Sequence, residues 1–198
     1  MNPSQPEPTG VSRADKESRL AQRGRAVWLY GLPGSGKSTL AAALEARLAA
    51  LGRAPALLDG DAVRAGLSRG LGFGERDRTE NLRRAAEAAR ILVGSGLVAV
   101  CAFITPLAEQ RRMVRGVIGD GDLLLAYLSA GPEACAARDP KGLYARARAG
   151  GLPGFTGVGS GFEAPGPGEH PLVLDTGREG VDACLERLLS AVLPRIRL

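Results

Sequence analysis

Residues 26–38 read AVWLYGLPGSGKS, an apolar run typical of a buried strand that leads directly into a glycine-rich loop. The loop has the spacing Gly-x4-Gly-Lys-Ser, and residues 38–51 after it are rich in Ala and Leu at helical spacing. A strand before such a loop and a helix after it are the context that a phosphate-binding loop requires. The stretch therefore predicts an α/β protein that binds a nucleoside triphosphate.

Each part of the loop has a chemical purpose. Its glycines let successive backbone N–H groups converge on phosphate oxygens, and the helix that follows directs its positive end at them. We expect Lys37 to bridge the β- and γ-phosphates and the Ser38 hydroxyl to hold Mg²⁺. The predicted ATP-binding residues are Gly31, Gly34, Ser35, Gly36, Lys37, Ser38 and Thr39. The chain lacks the NKxD motif of GTPases and the long apolar strand ending in Asp-Glu of motor ATPases, which leaves the small-molecule kinases.

Strands and helices alternate along the chain. We predict strands at 26–30, 54–59, 97–103, 122–129 and 171–175, and helices at 12–24, 38–51, 76–93, 107–117, 132–137 and 179–193. This order predicts a three-layer α/β/α fold of the P-loop NTPase type with a parallel sheet of about five strands. We expect residues 1–10 to be a disordered tail and residues 11–198 to form one domain. Periodicity is lost in residues 141–168, which are rich in Gly and Pro.

Composition excludes several other classes of protein. With 198 residues, 44% of them hydrophobic and 24% charged, the chain fits one folded domain. The net charge of +5 is dispersed, without a basic block that would grip nucleic acid. No apolar run approaches a membrane span, the N-terminus lacks the apolar segment of a secretory signal, and the three cysteines have no disulfide or zinc spacing. We therefore expect a cytoplasmic protein with no nucleic-acid or membrane partner and with buried cysteines.

A second group of residues suits the substrate that accepts the phosphoryl group. Asp59 and Asp61 follow the second strand, at the edge where open α/β sheets bind ligands. Two carboxylates there suit Mg²⁺ and the orientation of a hydroxyl, although a DG turn that merely ends the strand would look the same. Arg64 and Arg78 suit an anion, and Asn81 suits a hydroxyl or a base edge.

Two aromatic residues complete this group. Phe73 and Phe155 lie in glycine-rich segments, where we expect core packing to be poor and a flat ring of a ligand to stack.

These residues resemble the adenylylsulfate kinase (APS kinase) family from about Val11 onwards. The resemblance is carried by WLYGLPGSGKSTLA, LLDGDAVRAGLSRGLGFGERDRTENLRR, AFITP, ARDPKGLYARARAG, GFTGVGSGFEAP and LDTG, in that order. It implies transfer of the γ-phosphoryl of Mg-ATP to the 3′-hydroxyl of adenosine 5′-phosphosulfate (APS), which gives PAPS.

The resemblance also implies roles for individual residues. It makes Lys37, Asp61 and Lys141 catalytic, and Ser38 and Asp61 the residues that hold the metal. It implies acceptor contacts from Asp61, Arg64, Phe73, Arg78, Asn81, Ile104, Thr105, Lys141, Phe155 and Thr156. Residues 141–168 correspond to a lid that keeps water from the reaction. Because a loose transition state needs little base strength, we expect Asp61 mainly to position the hydroxyl.

The chain departs from the family pattern at three places. Ala62 stands where Asn is common, and Thr105 stands where the family commonly has Ser, which carries phosphate in some relatives. In the lid, residues 159–162 read GSGF instead of an acidic run with Pro and Tyr, so we expect a more flexible lid and a higher KM for the acceptor.

Other functions stay open at this point. One is a kinase of similar architecture acting on a nucleoside monophosphate, a sugar acid or shikimate, and another is a non-catalytic nucleotide-binding partner of a sulfurylase. The resemblance implies a homodimer, and it leaves open whether the chain contacts an ATP sulfurylase.

Overall fold

The computed structural model describes residues 10–139, 142–152 and 154–198 of the chain. Residues 1–9 of the expected disordered tail and the predicted catalytic Lys141 lie outside the described residues.

A five-stranded parallel sheet forms the centre of the fold. Its strands are β1 (Arg25–Gly31), β2 (Pro55–Asp59), β3 (Val98–Ala102), β4 (Leu123–Leu128) and β5 (Leu172–Leu174), and their order across the sheet is β2-β3-β1-β4-β5. Every neighbouring pair is parallel. The predicted parallel sheet is confirmed, with a last strand of three residues where five were expected.

The described helices connect these strands. They are α1 (Arg13–Leu20), α2 (Lys37–Ala50), α3 (Gly60–Ala65), α4 (Glu75–Gly94), α5 (Ala108–Ile118), α6 (Pro132–Arg138), α7 (Leu143–Arg148) and α8 (Val181–Ile196). None of them is both long enough and apolar enough to cross a membrane. Two were not expected: α3 stands where a turn was one interpretation of Asp59-Gly60-Asp61, and α7 lies in the segment predicted to be irregular.

Both faces of the sheet are buried, as the apolar strands indicated. Side chains alternate along a strand, so Val27 and Leu29 of β1 join a core with α2 and α8. Trp28 and Tyr30 belong to the opposite core with α4 and α5. All three cysteines are buried free thiols, which confirms their predicted place in the core. Helices on both faces of one sheet give the predicted three layers.

The strand order determines where a ligand can bind. From β1 the chain crosses to β2 on one side, whereas from β4 it crosses to β5 on the other side. Neighbouring strands whose connections leave in opposite directions create a crevice at their carboxyl ends. The glycine-rich loop follows β1 and therefore lies at this crevice.

Candidate active site

The loop between β1 and α2 can be built only with glycine at two positions. A Cβ on Gly31 would lie 2.7 Å from the carbonyl oxygen of Leu128 in β4. Gly34 has a φ of +75°, and a Cβ there would lie 2.8 Å from the carbonyl oxygen of Cys135. The loop is therefore packed against β4 and α6 at these two points.

Lys37 is buried inside the loop. Its ammonium group donates to the carbonyl oxygens of Gly31 and Leu32 at 3.0 and 2.7 Å. Burial lowers the pKa of Lys37 to about 8, and the nearby Cys135 and Asp59 oppose that shift only in part. The lysine is therefore a desolvated cation held at the place where the sequence predicts phosphate.

Asp59, at the end of β2, connects the loop to α3. Its carboxylate accepts a hydrogen bond from the Ser38 hydroxyl at 2.6 Å and another from the backbone N–H of Asp61 at 2.9 Å. Asp59 is thus the N-cap of α3. The carboxylate in contact with Ser38 belongs to Asp59, whereas Asp61, which the resemblance named as a metal-holding residue, lies exposed in the first turn of α3.

Two arginines and a phenylalanine form a cluster between α3 and α4. The Arg64 guanidinium lies 4.6 Å from the centre of the Phe73 ring and donates to the Gly72 carbonyl. Arg78 donates to the Phe73 carbonyl at 2.7 Å. Burial lowers the pKa of Arg64, and the neighbouring charge of Arg78 lowers it further. Two partly desolvated cations close to each other are suited to binding an anion.

Asn81 contributes a polar atom to the same region. Only 5% of the residue is exposed, and its side-chain oxygen has no hydrogen-bond partner among the residues that the structure describes. Buried polar atoms are normally paired, so this oxygen is suited to a ligand that donates a hydrogen bond.

Ile104 and Thr105 follow β3 at the same edge. Ile104 is half-buried, and its carbonyl accepts from the Gly31 N–H at 3.3 Å. Thr105 is fully buried, and its hydroxyl accepts from the Trp28 indole at 2.9 Å. The predicted acceptor contact of Thr105 therefore receives no support from its side chain.

The two phenylalanines predicted to stack on a ligand have different surroundings. Phe73 is 71% exposed, as expected for a glycine-rich segment, but Phe155 is only 9% exposed. Its ring meets Tyr144 edge to face, with the centroids 5.1 Å apart. The expectation of poor packing around Phe155 was wrong, because α7 supplies a partner that the sequence pattern did not indicate.

The substituted lid turn is closed by hydrogen bonds of its own. The backbone N–H groups of Gly159 and Ser160 donate to the Phe155 carbonyl, and the Ser160 hydroxyl donates to the Gly154 carbonyl at 3.0 Å. Thr156, in the same turn, accepts from Arg78 at 3.0 Å. The turn is therefore attached to the arginine cluster, and its hydrogen bonds give no support to the looser lid that we expected.

The end of the lid segment is fastened to α5. Phe162 stacks on Tyr127 with the ring centres 5.8 Å apart. Arg111 is 1% exposed, and its guanidinium donates to both carboxylate oxygens of Glu169. The same guanidinium donates to the Pro106 carbonyl at 3.1 Å. Residues 162 and 169 are therefore held against β4 and α5, and α5 in turn contacts the loop after β3.

A cavity of about 670 Å³ lies between the phosphate loop and the lid turn. Leu32 lines one side, Tyr127 is also part of the lining, and residues 157–162 line the other side. The cavity adjoins the loop, but neither Lys37 nor the arginine cluster lines it.

The sequence did not single out two residues that organise this region, which are Tyr144 next to Phe155 and Arg111 next to the loop after β3. Asp59 was singled out with Asp61 as suited to Mg²⁺, but its contact with Ser38 was not predicted. A carboxylate at a strand end was the only advance signal for Asp59. Nothing in the local pattern distinguished Tyr144 or Arg111, because their partners are distant in the chain.

A phosphate loop at the crevice of a parallel sheet, facing a cationic and aromatic cluster, defines a P-loop kinase that acts on a small anionic molecule. Comparison with known proteins narrows this class. The adenylylsulphate kinase family model matches residues 23–173, so the chain belongs to that family.

Individual relatives cover nearly the whole chain. An adenylyl-sulfate kinase of Bacteroides thetaiotaomicron is 45% identical over 187 residues, which are 94% of this chain and 92% of the relative. The solved structure of the Mycobacterium tuberculosis APS kinase in complex with AMPPNP and APS has a TM-score of 0.81 and 38% identity, and the match covers 86% of this chain and 98% of that one. A hexameric APS kinase from Thiobacillus denitrificans has a TM-score of 0.65 and 30% identity, and the match covers 88% of this chain and 30% of that one.

Proposed function

We propose that this chain transfers the γ-phosphoryl group of ATP to the 3′-hydroxyl of APS, releasing ADP and PAPS. The observation that carries the proposal is the position of two sites on one sheet edge: the loop with Lys37 and Ser38, and the cluster of Arg64, Phe73 and Arg78. The first suits a triphosphate, and the second suits an anion with a flat ring. A kinase needs both within reach of each other.

On the donor side, Lys37 would exchange carbonyl oxygens for phosphate oxygens. Its ammonium group is held by two loop carbonyls, and a triphosphate offers charged acceptors that form stronger hydrogen bonds. The buried position makes this exchange favourable, because a desolvated cation gains more from a nearby anion than a hydrated one. Lys37 would then neutralise charge that develops on the transferred group.

The residues present fit a magnesium ion that arrives with ATP. Ser38 and Asp59 offer a hydroxyl and a carboxylate 2.6 Å apart beside the loop, and Mg²⁺ prefers such oxygen ligands with the remainder supplied by phosphates and water. Among the described residues no group of three or more His, Cys, Asp or Glu side chains could hold a metal by itself. The ion would supply charge neutralisation at the phosphates, and Asp59 would orient the Ser38 hydroxyl.

On the acceptor side, Arg64 and Arg78 would hold the phosphosulfate and Asn81 would accept a hydrogen bond from the acceptor. Phe73 is exposed and supported by Arg64, so one face of its ring is available for adenine. The ring of Phe155 already contacts Tyr144, so only the part of the ring that does not meet Tyr144 would be available to adenine. Stacking of this kind contributes roughly 1–3 kcal/mol per base.

Asp61 would position the 3′-hydroxyl for in-line attack. It lies in the first turn of α3, next to the Asp59 that contacts Ser38. An ordinary carboxylate is a weak base, and a loose transition state asks for little proton removal. Lys141, which lies outside the described residues, is proposed as the second catalytic cation by family resemblance.

The test is ADP release from Mg-ATP with and without micromolar APS, with AMP, shikimate and gluconate as alternative acceptors. We expect ADP release to depend on APS. Turnover with AMP alone would make the chain a nucleoside monophosphate kinase. Binding of both nucleotides without turnover would make it a non-catalytic partner of a sulfurylase.

A matched pair of arginine variants tests the acceptor site. Arg78→Gln removes a guanidinium that contacts Phe73 and Thr156, whereas Arg76→Gln removes an exposed guanidinium from the same helix. We expect the KM for APS to rise at least about ten-fold in the first variant only, since losing a charge-assisted hydrogen bond costs about 1.5–3 kcal/mol, with the KM for ATP unchanged in both. Equal changes in both variants would remove Arg78 from the acceptor site.

We propose a cytoplasmic homodimer by family resemblance, and the hexameric APS kinase from Thiobacillus denitrificans makes a larger assembly the alternative outcome of a mass measurement in solution. A contact with an ATP sulfurylase is a further proposal, which co-purification would test.

A further inference from the structure

Tyr144 lies between the two halves of the proposed site. Its hydroxyl donates to the Pro33 carbonyl of the phosphate loop at 2.9 Å. Its ring meets the Phe155 ring at a centroid distance of 5.1 Å and an interplanar angle of 84°, the edge-to-face arrangement that aromatic pairs favour. The residue is 3% exposed. One buried side chain therefore contacts both the donor loop and an aromatic residue of the acceptor side.

The hydrogen bond to Pro33 restricts the direction of the next backbone N–H. In a trans peptide the C=O and the following N–H point in opposite directions, so the Gly34 N–H points away from Tyr144. Gly34 is also packed against Cys135 in a left-handed conformation that only glycine adopts readily. The tyrosine hydroxyl thus holds one of the loop peptides whose N–H groups bind phosphate in such loops.

The contact with Phe155 continues into the acceptor cluster. Thr156, next in the chain, accepts from Arg78, which also donates to the Phe73 carbonyl. Gly157 then packs on the phosphate loop, because a Cβ there would lie 3.1 Å from the Leu32 side chain and 3.6 Å from the Tyr144 hydroxyl oxygen. Close contacts therefore connect the phosphate loop, through residues 155–157, with Arg78 and Phe73.

We infer that Tyr144 is a positioning residue that couples the two nucleotide sites, so that each nucleotide binds more tightly when the other is present. The inference rests on the proposed function and adds a mechanism to it. ATP phosphates that fix the loop would fix Pro33, and through Tyr144 the ring of Phe155. By thermodynamic reciprocity APS must raise the affinity for ATP by the same factor.

Isothermal titration calorimetry of the full chain measures this factor without turnover. The dissociation constant of Mg-AMPPNP is measured with and without saturating APS, and that of APS with and without Mg-AMPPNP. We expect the ratio to be about ten-fold in the unmodified chain, within the usual range of such couplings. In Tyr144→Phe we expect it to fall below about two-fold, because the ring stays while the hydroxyl loses its hydrogen bond to Pro33 and its interaction with the Cys135 thiol. The affinity for Mg-AMPPNP alone should change by less than about three-fold.

Tyr30→Phe is the matched control. Tyr30 is also a buried tyrosine beside the loop, but its hydroxyl has no hydrogen-bond partner among the described residues. The same atom is removed without breaking a hydrogen bond to a described residue, so the coupling factor should remain unchanged. If the coupling needed only a buried hydroxyl near the loop, the coupling factor would fall in both variants, and the inference would be overturned.

Phe155→Leu tests the other end of the connection. It keeps the hydrogen bond to Pro33 and removes the aromatic edge contact, so the coupling factor should fall as in Tyr144→Phe. Because both changes interrupt one connection, the double variant should lose no more coupling than either single variant.

Four outcomes are distinguishable. Loss of the factor in Tyr144→Phe but not in Tyr30→Phe supports the inference. Retention of the full factor in Tyr144→Phe, or additive losses in the double variant, overturns it while the proposed function stands. A factor of one in the unmodified chain also overturns it. Absence of APS binding to the unmodified chain overturns the proposed function and the inference with it.

Discussion

ATP binding should be coupled to protonation of Lys37, and the structure sets the size of the effect. Burial lowers the pKa of this lysine to about 8 in the nucleotide-free protein. The triphosphate brings negative charge against the ammonium group, and an opposite charge at contact raises the pKa of a lysine. Near pH 8, where about half of the free protein lacks this proton, binding should take up about half a proton per nucleotide.

The same linkage makes ATP affinity depend on pH. If only the ammonium form binds the phosphates well, the competent fraction falls from about nine-tenths at pH 7 to about one-tenth at pH 9. The apparent affinity for Mg-AMPPNP should therefore fall about ten-fold over that range. The sign follows from the lowered pKa: binding is strongest below the pKa of the free protein and weakens as the pH rises through it.

Calorimetry at pH 8 in two buffers with different ionisation enthalpies measures the proton uptake directly. Lys37→Arg is the control, because a guanidinium keeps its charge over the whole range, so its proton uptake should be near zero whatever its affinity. Proton uptake near zero in the unmodified chain, together with an affinity that is flat from pH 7 to pH 9, would refute the assignment of Lys37 as a desolvated phosphate-binding cation.

Two further predictions concern carboxylates. Asp59→Asn should raise the Mg²⁺ concentration for half-maximal activity about ten-fold or more, because Asp59 orients the Ser38 hydroxyl. In contrast, Asp61→Asn should lower kcat about 100-fold with little change in the KM for ATP. Steady-state kinetics that show identical effects of the two substitutions would contradict this division of roles. Glu169→Gln should lower the free energy of unfolding by about 3 kcal/mol, because it leaves the buried Arg111 without the carboxylate that it contacts. Urea unfolding measures this against Glu186→Gln, a control at an exposed glutamate of α8. The hydrogen bonds from Arg111 hold the pKa of Glu169 below its usual range. This stabilisation should therefore be present above about pH 4.3 and be lost as the pH falls through the lowered pKa. Equal stability of the two variants at pH 7 would argue against a stabilising role of the ion pair.

Much of the fold could be predicted because its signals are local. The apolar strand, the glycine-rich loop and the Ala/Leu helix are consecutive, so one window of residues 26–51 predicts β1, the loop and α2. Ser12 was predicted to begin the first helix, and its hydroxyl does accept from the Asp15 N–H as an N-cap. By contrast, α7 has an alternation of Arg and Ala between glycines that gives little apolar periodicity, and it is held by contacts to Asp139 and the phosphate loop.

The acceptor side was less predictable because its contacts are distant in the chain. Arg78 and Thr156 meet across 78 positions, and Tyr144 and Pro33 across 111. No periodicity shows such pairs: the resemblance to a family named Arg78 and Thr156 without their contact, and nothing in the sequence indicated the contact of Tyr144 with Pro33. The wrong expectation for Phe155 has another cause: a glycine-rich neighbourhood in the sequence does not exclude packing against a tyrosine of the preceding helix α7.

The contacts of the lid segment divide it into two parts with different freedom. From Phe162 onwards the chain is fastened by a ring stack, by a backbone hydrogen bond from Glu163 to Pro106, and by the buried pair of Arg111 and Glu169. Separating Glu169 from Arg111 would leave a buried guanidinium without its carboxylate, which costs about 3–5 kcal/mol for a fully buried pair. If the lid closes to exclude water, as the resemblance implies, we expect the movement to take place before residue 162, in the part that carries α7 and Phe155. That is also the part in which Tyr144 contacts the phosphate loop, so closure and binding of ATP act on the same residues.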